Sequence, residues 1–191
     1  MTGARLLRAG GALLPVLLSL APSAAFVRVR NTANGNPLRR TDAAAIAFKV
    51  NNLTAAGMAN SGGAPIIAAG SNPQGAITGA MNAWTAIPAS VVSFEAPGST
   101  ADTNASSNGE NLITFVDTPA NRALVGSDAL AVTVLKFNLA GVISDSDIVV
   151  SPAKAFSTNN QGGTYDLQSV ITHELGHALG AGHSGVVGAT R

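Results

Sequence analysis

A few stretches of this chain carry a clear hydrophobic period, and polar, small-residue segments separate them. Ile46–Val50 is a short apolar run interrupted only by Lys49 and closed by Asn51-Asn52, which predicts a strand. Residues 55–71 are Ala, Gly, Asn and Ser with Pro65, carry no period, and read as a loop. Asn72-Pro73 then opens a helix, since Asn can cap it and Pro suits its first position. Ile77, Met81, Trp84 and Ile87 recur at helical spacing on one side, and Pro88 ends the helix. The chain's only Trp lies on that stripe, which makes it a core anchor in preference to a ligand-stacking platform.

Val91–Phe94 and Leu112–Val116 read as further strands around a Gly/Ser/Thr/Asn-rich loop at 97–109. Ala129–Phe137, rich in β-branched residues, is the longest strand candidate. Leu139-Ala140-Gly141 makes a turn, and Ile148–Val150 is a short strand. Asp166 caps a last helix in which Leu167, Val170, Ile171, Leu175, Ala178 and Leu179 form one buried face. Strand, helix, several strands, helix is the order of an α+β fold in a single domain.

Composition sharpens this picture at two points. The formal charge is +1, from 11 basic and 10 acidic residues, so there is no basic field for nucleic acid. There is no cysteine, which excludes disulfides, thiolate metal sites and thiol catalysis. Residues 1–25 read as an export signal: Arg5 and Arg8, then an apolar run from Ala12 to Leu20, then Ser23-Ala24-Ala25 before Phe26. An uncleaved membrane anchor over 9–27 is the rival reading, but Pro15 and Pro22 interrupt it. The expected mature protein is secreted, monomeric and free of stable membrane association. Residues 26–41 hold Arg28, Arg30, Arg39 and Arg40, and read as a basic solvated spacer or short pro-segment that could dock on the more acidic remainder. The main domain runs from 42 to 191. Asp102, Asp117, Asp145 and Asp147 could offer oxygens to Ca2+, but they follow no EF-hand spacing and read as solvated turn acids.

The chain's three histidines all fall between 173 and 183. His173 and His177, four residues apart, stack on one side of the last helix, displaced from its apolar face. Glu174 can sit beside a metal there without ligating it. Gly180 permits a left-handed turn that ends the helix and returns His183 as a third ligand. Three neutral imidazoles with one position left for water form an open, catalytic Zn2+ site; a structural zinc site would be closed by protein. Two solvated helix histidines and a stray third are the competing reading, disfavoured by the extended pattern.

At His173-Glu174-Leu175-Gly176-His177-Ala178-Leu179-Gly180-Ala181-Gly182-His183-Ser184 the chain resembles the metzincin zinc endopeptidases, and Ser184 makes it similar to their matrixin (matrix-metalloproteinase-like) branch. The lead-in Tyr165-Asp166-Leu167-Gln168-Ser169-Val170 is similar to that of bacterial matrixin-like proteins. The resemblance implies a twisted mixed sheet with two long helices and a zinc at the floor of a cleft. It implies His173, His177 and His183 as zinc ligands, Glu174 as catalytic base, and protein or peptide as substrate. It makes Ala129–Phe137 the edge strand above the cleft, with Ala129, Leu130, Ala131 and Val132 expected to contact an extended peptide. The chain departs from the family in having no cysteine switch and no histidines for a second, structural zinc. Met1, Met58 and Met81 all precede His173, so no methionine turn follows the third histidine within the eight residues to Arg191. The sequence therefore reads as lacking the C-terminal subdomain, through truncation or as a partial sequence. The alternative to an active endopeptidase is a catalytically impaired zinc-binding fragment without the methionine turn and specificity-pocket wall.

Overall fold

The computed structural model describes residues 27–183. The export signal read over 1–25 and the residues from Ser184 onward lie outside the described residues.

Strands β2 (Phe48–Asn51), β3 (Gly98–Thr100), β4 (Asn111–Thr114), β5 (Ala131–Phe137) and β6 (Ile143–Val150) form a five-stranded sheet in the order β3-β2-β4-β6-β5. All neighbours are parallel except β5, which runs antiparallel to β6 along the edge. Helices α1 (Pro73–Thr85) and α3 (Leu167–Ala178) pack together, and their apolar side chains form the main core with those of the sheet. A short helix, α2 (Pro119–Val125), contacts β5 and β6. This is the mixed α+β architecture that the hydrophobic pattern predicts.

Helix ends follow the capping chemistry. The Asn72 side chain accepts from Gly75 N, and Asp166 Oδ1 accepts from Ser169 N at 2.7 Å. Thr118-Pro119 opens α2 in the same way, with Thr118 Oγ1 accepting from Asn121 N. Within the core Ile77, Met81, Ile171, Leu175 and Ala178 are buried. Trp84 is partly buried; its indole N–H donates to Thr172 O at 2.8 Å, and its ring packs on Gly176, where a Cβ would lie 3.0 Å from the indole. Gly176 thus permits the close approach of α1 to the histidine-bearing helix.

Four expectations are corrected. Ile87 is 43% exposed, because the helix stops at Thr85 and the stripe loses its period there. Val91–Phe94 forms no strand: it borders residues 43–46 through Ser93 and Glu95 backbone bonds, with one bridge between Ile46 and Phe94. The third strand of the parallel set is instead β3, within the stretch expected to be loop; at a sheet edge Gly-Ser-Thr can pair by backbone alone. The acids on β6 are not solvated. Side chains alternate across a strand, so Ile148 and Val150 enter the helix-side core while Asp145 and Asp147 turn to the opposite face, where both are buried. Asp147 accepts from Ser106 N and Leu112 N, and Asp145 accepts from Gly109 N, so both carboxylates anchor the 101–110 loop. Among the described residues, Asp102, Asp117, Asp145 and Asp147 do not gather into a metal-sized group of three.

The basic stretch takes the docked alternative. β1 (Val27–Arg28) pairs antiparallel with β9 (Ala181–Gly182), Val29 N donates to Gly180 O, and Leu38 is fully buried. The Arg40 guanidinium, almost wholly covered, pairs with Asp42 and donates to Ser146 Oγ and to Ala178 O at the end of α3. One further pair is short: β7 (Phe156–Ser157) lies parallel to β8 (Tyr165–Asp166), just before α3.

Candidate metal centre

Each histidine owes its place to a different local cause. His173 and His177 are one helical turn apart on α3, and both line the cleft between that helix and β5. Gly180, with φ of +89°, then turns the chain out of the helix, a conformation that favours glycine. A Cβ at Gly180 would also meet Leu38 O at 2.7 Å. The emerging residues Ala181–Gly182 are held by the β1 ladder, which delivers His183 to the other two rings.

The three Nε2 atoms form a nearly equilateral triangle, with separations of 3.0 Å (His173 to His183), 3.0 Å (His173 to His177) and 3.1 Å (His177 to His183). One ion at a Zn–N distance of about 2.0–2.1 Å can touch nitrogens so spaced. The tautomer of one ring is fixed: His177 Nδ1 lies 2.8 Å from Ala181 O, and a carbonyl only accepts, so Nδ1 carries the proton and Nε2 keeps its lone pair in the neutral ring. Burial lowers the pKa of His173, with Glu174 opposing and His177 and His183 adding to the shift, which favours the neutral imidazole a metal needs. Donor type, spacing and protonation therefore all fit a zinc ion. Among the described residues, this is the only such cluster of three His, Cys, Asp or Glu side chains.

Glu174 is buried at 5% exposure, yet it lines the same cleft as the imidazoles. That cleft has a volume of about 890 Å³ and lies between α3 and β5. Ala129, Leu130, Ala131 and Val132 all line it, with Ala129 and Leu130 just ahead of the strand and Ala131 and Val132 inside it. The far edge of β5 pairs with no other strand among the described residues. Val170 and Tyr165 add apolar surface to the wall.

Sequence reasoning missed one residue of the site. Thr133 Oγ1 donates to Glu174 Oε2 at 2.6 Å, and Glu174 O lies 3.1 Å from the same hydroxyl. The signal was available in the period-2 alternation, which puts Thr133 between Ala131 and Leu135 on the face that meets α3.

Two imidazoles and a glutamate on one helix, a third imidazole after a glycine turn, and an antiparallel edge strand over a mixed sheet define a metzincin-type zinc metallopeptidase centre. The family model for matrixin matches residues 71–190, and the chain belongs to the matrixin family. No curated protein and no solved structure matches it. Among the described residues, no helix is long and apolar enough to cross a membrane.

Proposed function

We propose that this protein is an exported zinc metalloendopeptidase in which Glu174 serves as general base. The observation that carries the reading is the convergence of three histidine Nε2 atoms within 3.1 Å of one another in a cleft that Glu174 and a free strand edge share. Arg5, Arg8, the apolar run after them and Ser23-Ala24-Ala25 support export.

His173, His177 and His183 would hold the ion through Nε2. Zinc, when bound, polarises the scissile carbonyl and lowers the pKa of water. The edge of β5 binds an extended peptide by main-chain hydrogen bonds, with Ala129–Val132 lining its path, so recognition there depends little on substrate side chains. Glu174 takes a proton from the attacking water and passes it to the amine as the peptide C–N bond breaks. Attack by water is direct, so no Ser or Cys nucleophile and no acyl-enzyme are required.

The test uses the zinc-loaded chain and an unstructured protein such as casein. Hydrolysis is expected, and Glu174→Ala is expected to abolish it while the zinc content stays at one ion per chain. Equal cleavage by the wild type and the Ala variant would rule out the assigned base. Failure of the folded chain to retain zinc after dialysis would rule out the metal centre.

A further inference from the structure

We infer that Thr133 is a positioning residue for the general base: its hydroxyl pins one carboxylate oxygen of Glu174 and leaves the other to face the attacking water. This rests on the metallopeptidase reading of the site given above.

Thr133 sits in the middle of β5, directly opposite Ile148 of β6, and therefore points with Ile148 toward α3. Its neighbours on that face are Ala131 and Leu135, and Ala131 and Ile148 belong to the helix-side core. Thr133 itself is half-buried and lines the cleft beside Glu174. A valine would match its shape, so packing alone gives no reason for the oxygen. The partner it finds is Glu174 Oε2, at 2.6 Å, a distance typical of a hydroxyl donating to a carboxylate.

The consequence is a division of labour between the two oxygens. Oε2 has its position fixed by Thr133. Oε1 makes no hydrogen bond to any described residue, while Glu174 lines the cleft beside His173 and His177. A glutamate carboxylate can turn about its last torsion, and a base that must meet a water in one orientation loses efficiency when it turns. A branched side chain on a strand is stiff at χ1, so Thr133 supplies its donor from a fixed place. The strand that would hold the substrate and the helix that carries the base are thus joined at the base itself.

The test compares Thr133→Val, which keeps the shape and removes the donor, with Thr133→Ser, which keeps the donor. Zinc content and thermal midpoint are measured on both. The Val variant is expected to lose about tenfold in kcat with KM and zinc content unchanged, as removal of a hydrogen bond to a charged group predicts. The Ser variant is expected to recover most of that loss. A Val variant with wild-type kcat, or a Ser variant as impaired as Val, overturns the inference. If the wild-type chain itself cleaves nothing, the metallopeptidase reading fails, and the contact is then judged by thermal unfolding of Thr133→Val, Glu174→Ala and the double variant. Non-additive midpoint shifts uphold the pinning, and additive ones overturn it.

Discussion

At the scale of single residues, Gly180 and Asp147 make opposite demands on their surroundings. Gly180 needs a positive φ and an empty space where a side chain would be. Gly180→Ala is therefore expected to cost about 1–3 kcal/mol from backbone strain, with the Leu38 carbonyl contact adding to it. Because His183 is placed by this turn, zinc affinity should fall along with the unfolding midpoint; calorimetry with and without zinc reads both. Asp147 instead carries a charge that the fold tolerates at a cost. Burial, with Asp145 and Asp102 nearby, pushes its pKa up from 3.8 to about 6, although the bonds from Ser106 N and Leu112 N oppose the rise. A raised folded pKa means that the native state holds the proton more tightly than the unfolded chain. Its contribution to stability is thus fully present below pH 3.8 and is lost as pH rises to about 6. Asp147→Asn should remove that decline from the pH dependence of the unfolding midpoint. An unchanged slope between these pH values would contradict the assignment. Asp117 behaves in the contrary sense, since the Arg122 guanidinium holds its carboxyl below the usual range and its contribution is lost in acid.

At the scale of elements, α3 depends on its cap and on Trp84. Asp166→Ala removes the acceptor for Ser169 N and should cost about 1 kcal/mol. Trp84→Phe loses the bond to Thr172 O and should cost about 0.5–1.5 kcal/mol. Urea denaturation measures both, and since neither residue enters the base chemistry, kcat should change little under folding conditions. Elements of this kind were the legible ones. Asn72-Pro73 and Asp166 announced α1 and α3, the β-branched run in Ala129–Phe137 announced the longest strand but one, and the histidine spacing announced the metal cluster. Thr118-Pro119 carries the same start signal, but α2 is only seven residues long and shows no apolar stripe to reveal it. β3 was illegible because an edge strand of Gly-Ser-Thr buries almost nothing. The burial of Asp145 and Asp147 was hidden for a different reason. Their partners are backbone N–H groups of the 101–110 loop and of β4, some 35–41 residues away, and no local pattern encodes those.

At the scale of the whole molecule, the basic stretch after residue 26 belongs to the folded unit. Leu38 fills the space beside Gly180, and Arg40 ties the end of α3 to β6. Leu38→Ala should destabilise the protein by about 2–5 kcal/mol, the usual cost of emptying a buried leucine site. The same variant should bind zinc more weakly although Leu38 offers the ion no ligand atom. A midpoint shift with unaltered zinc affinity would show that the turn holds its place without this support.

The two-residue ladder between Val27–Arg28 and Ala181–Gly182 joins distant parts of the chain at the one place where the third imidazole is set. By thermodynamic reciprocity, whatever free energy that seam lends to ion capture, the captured ion must return to the seam. Loading the protein with zinc should therefore shield the peptide bonds around Arg28 and Arg30 from trypsin, and chelation should expose them, so that the segment on either side of Val29, which lines the same cleft, reports on the occupancy of the centre.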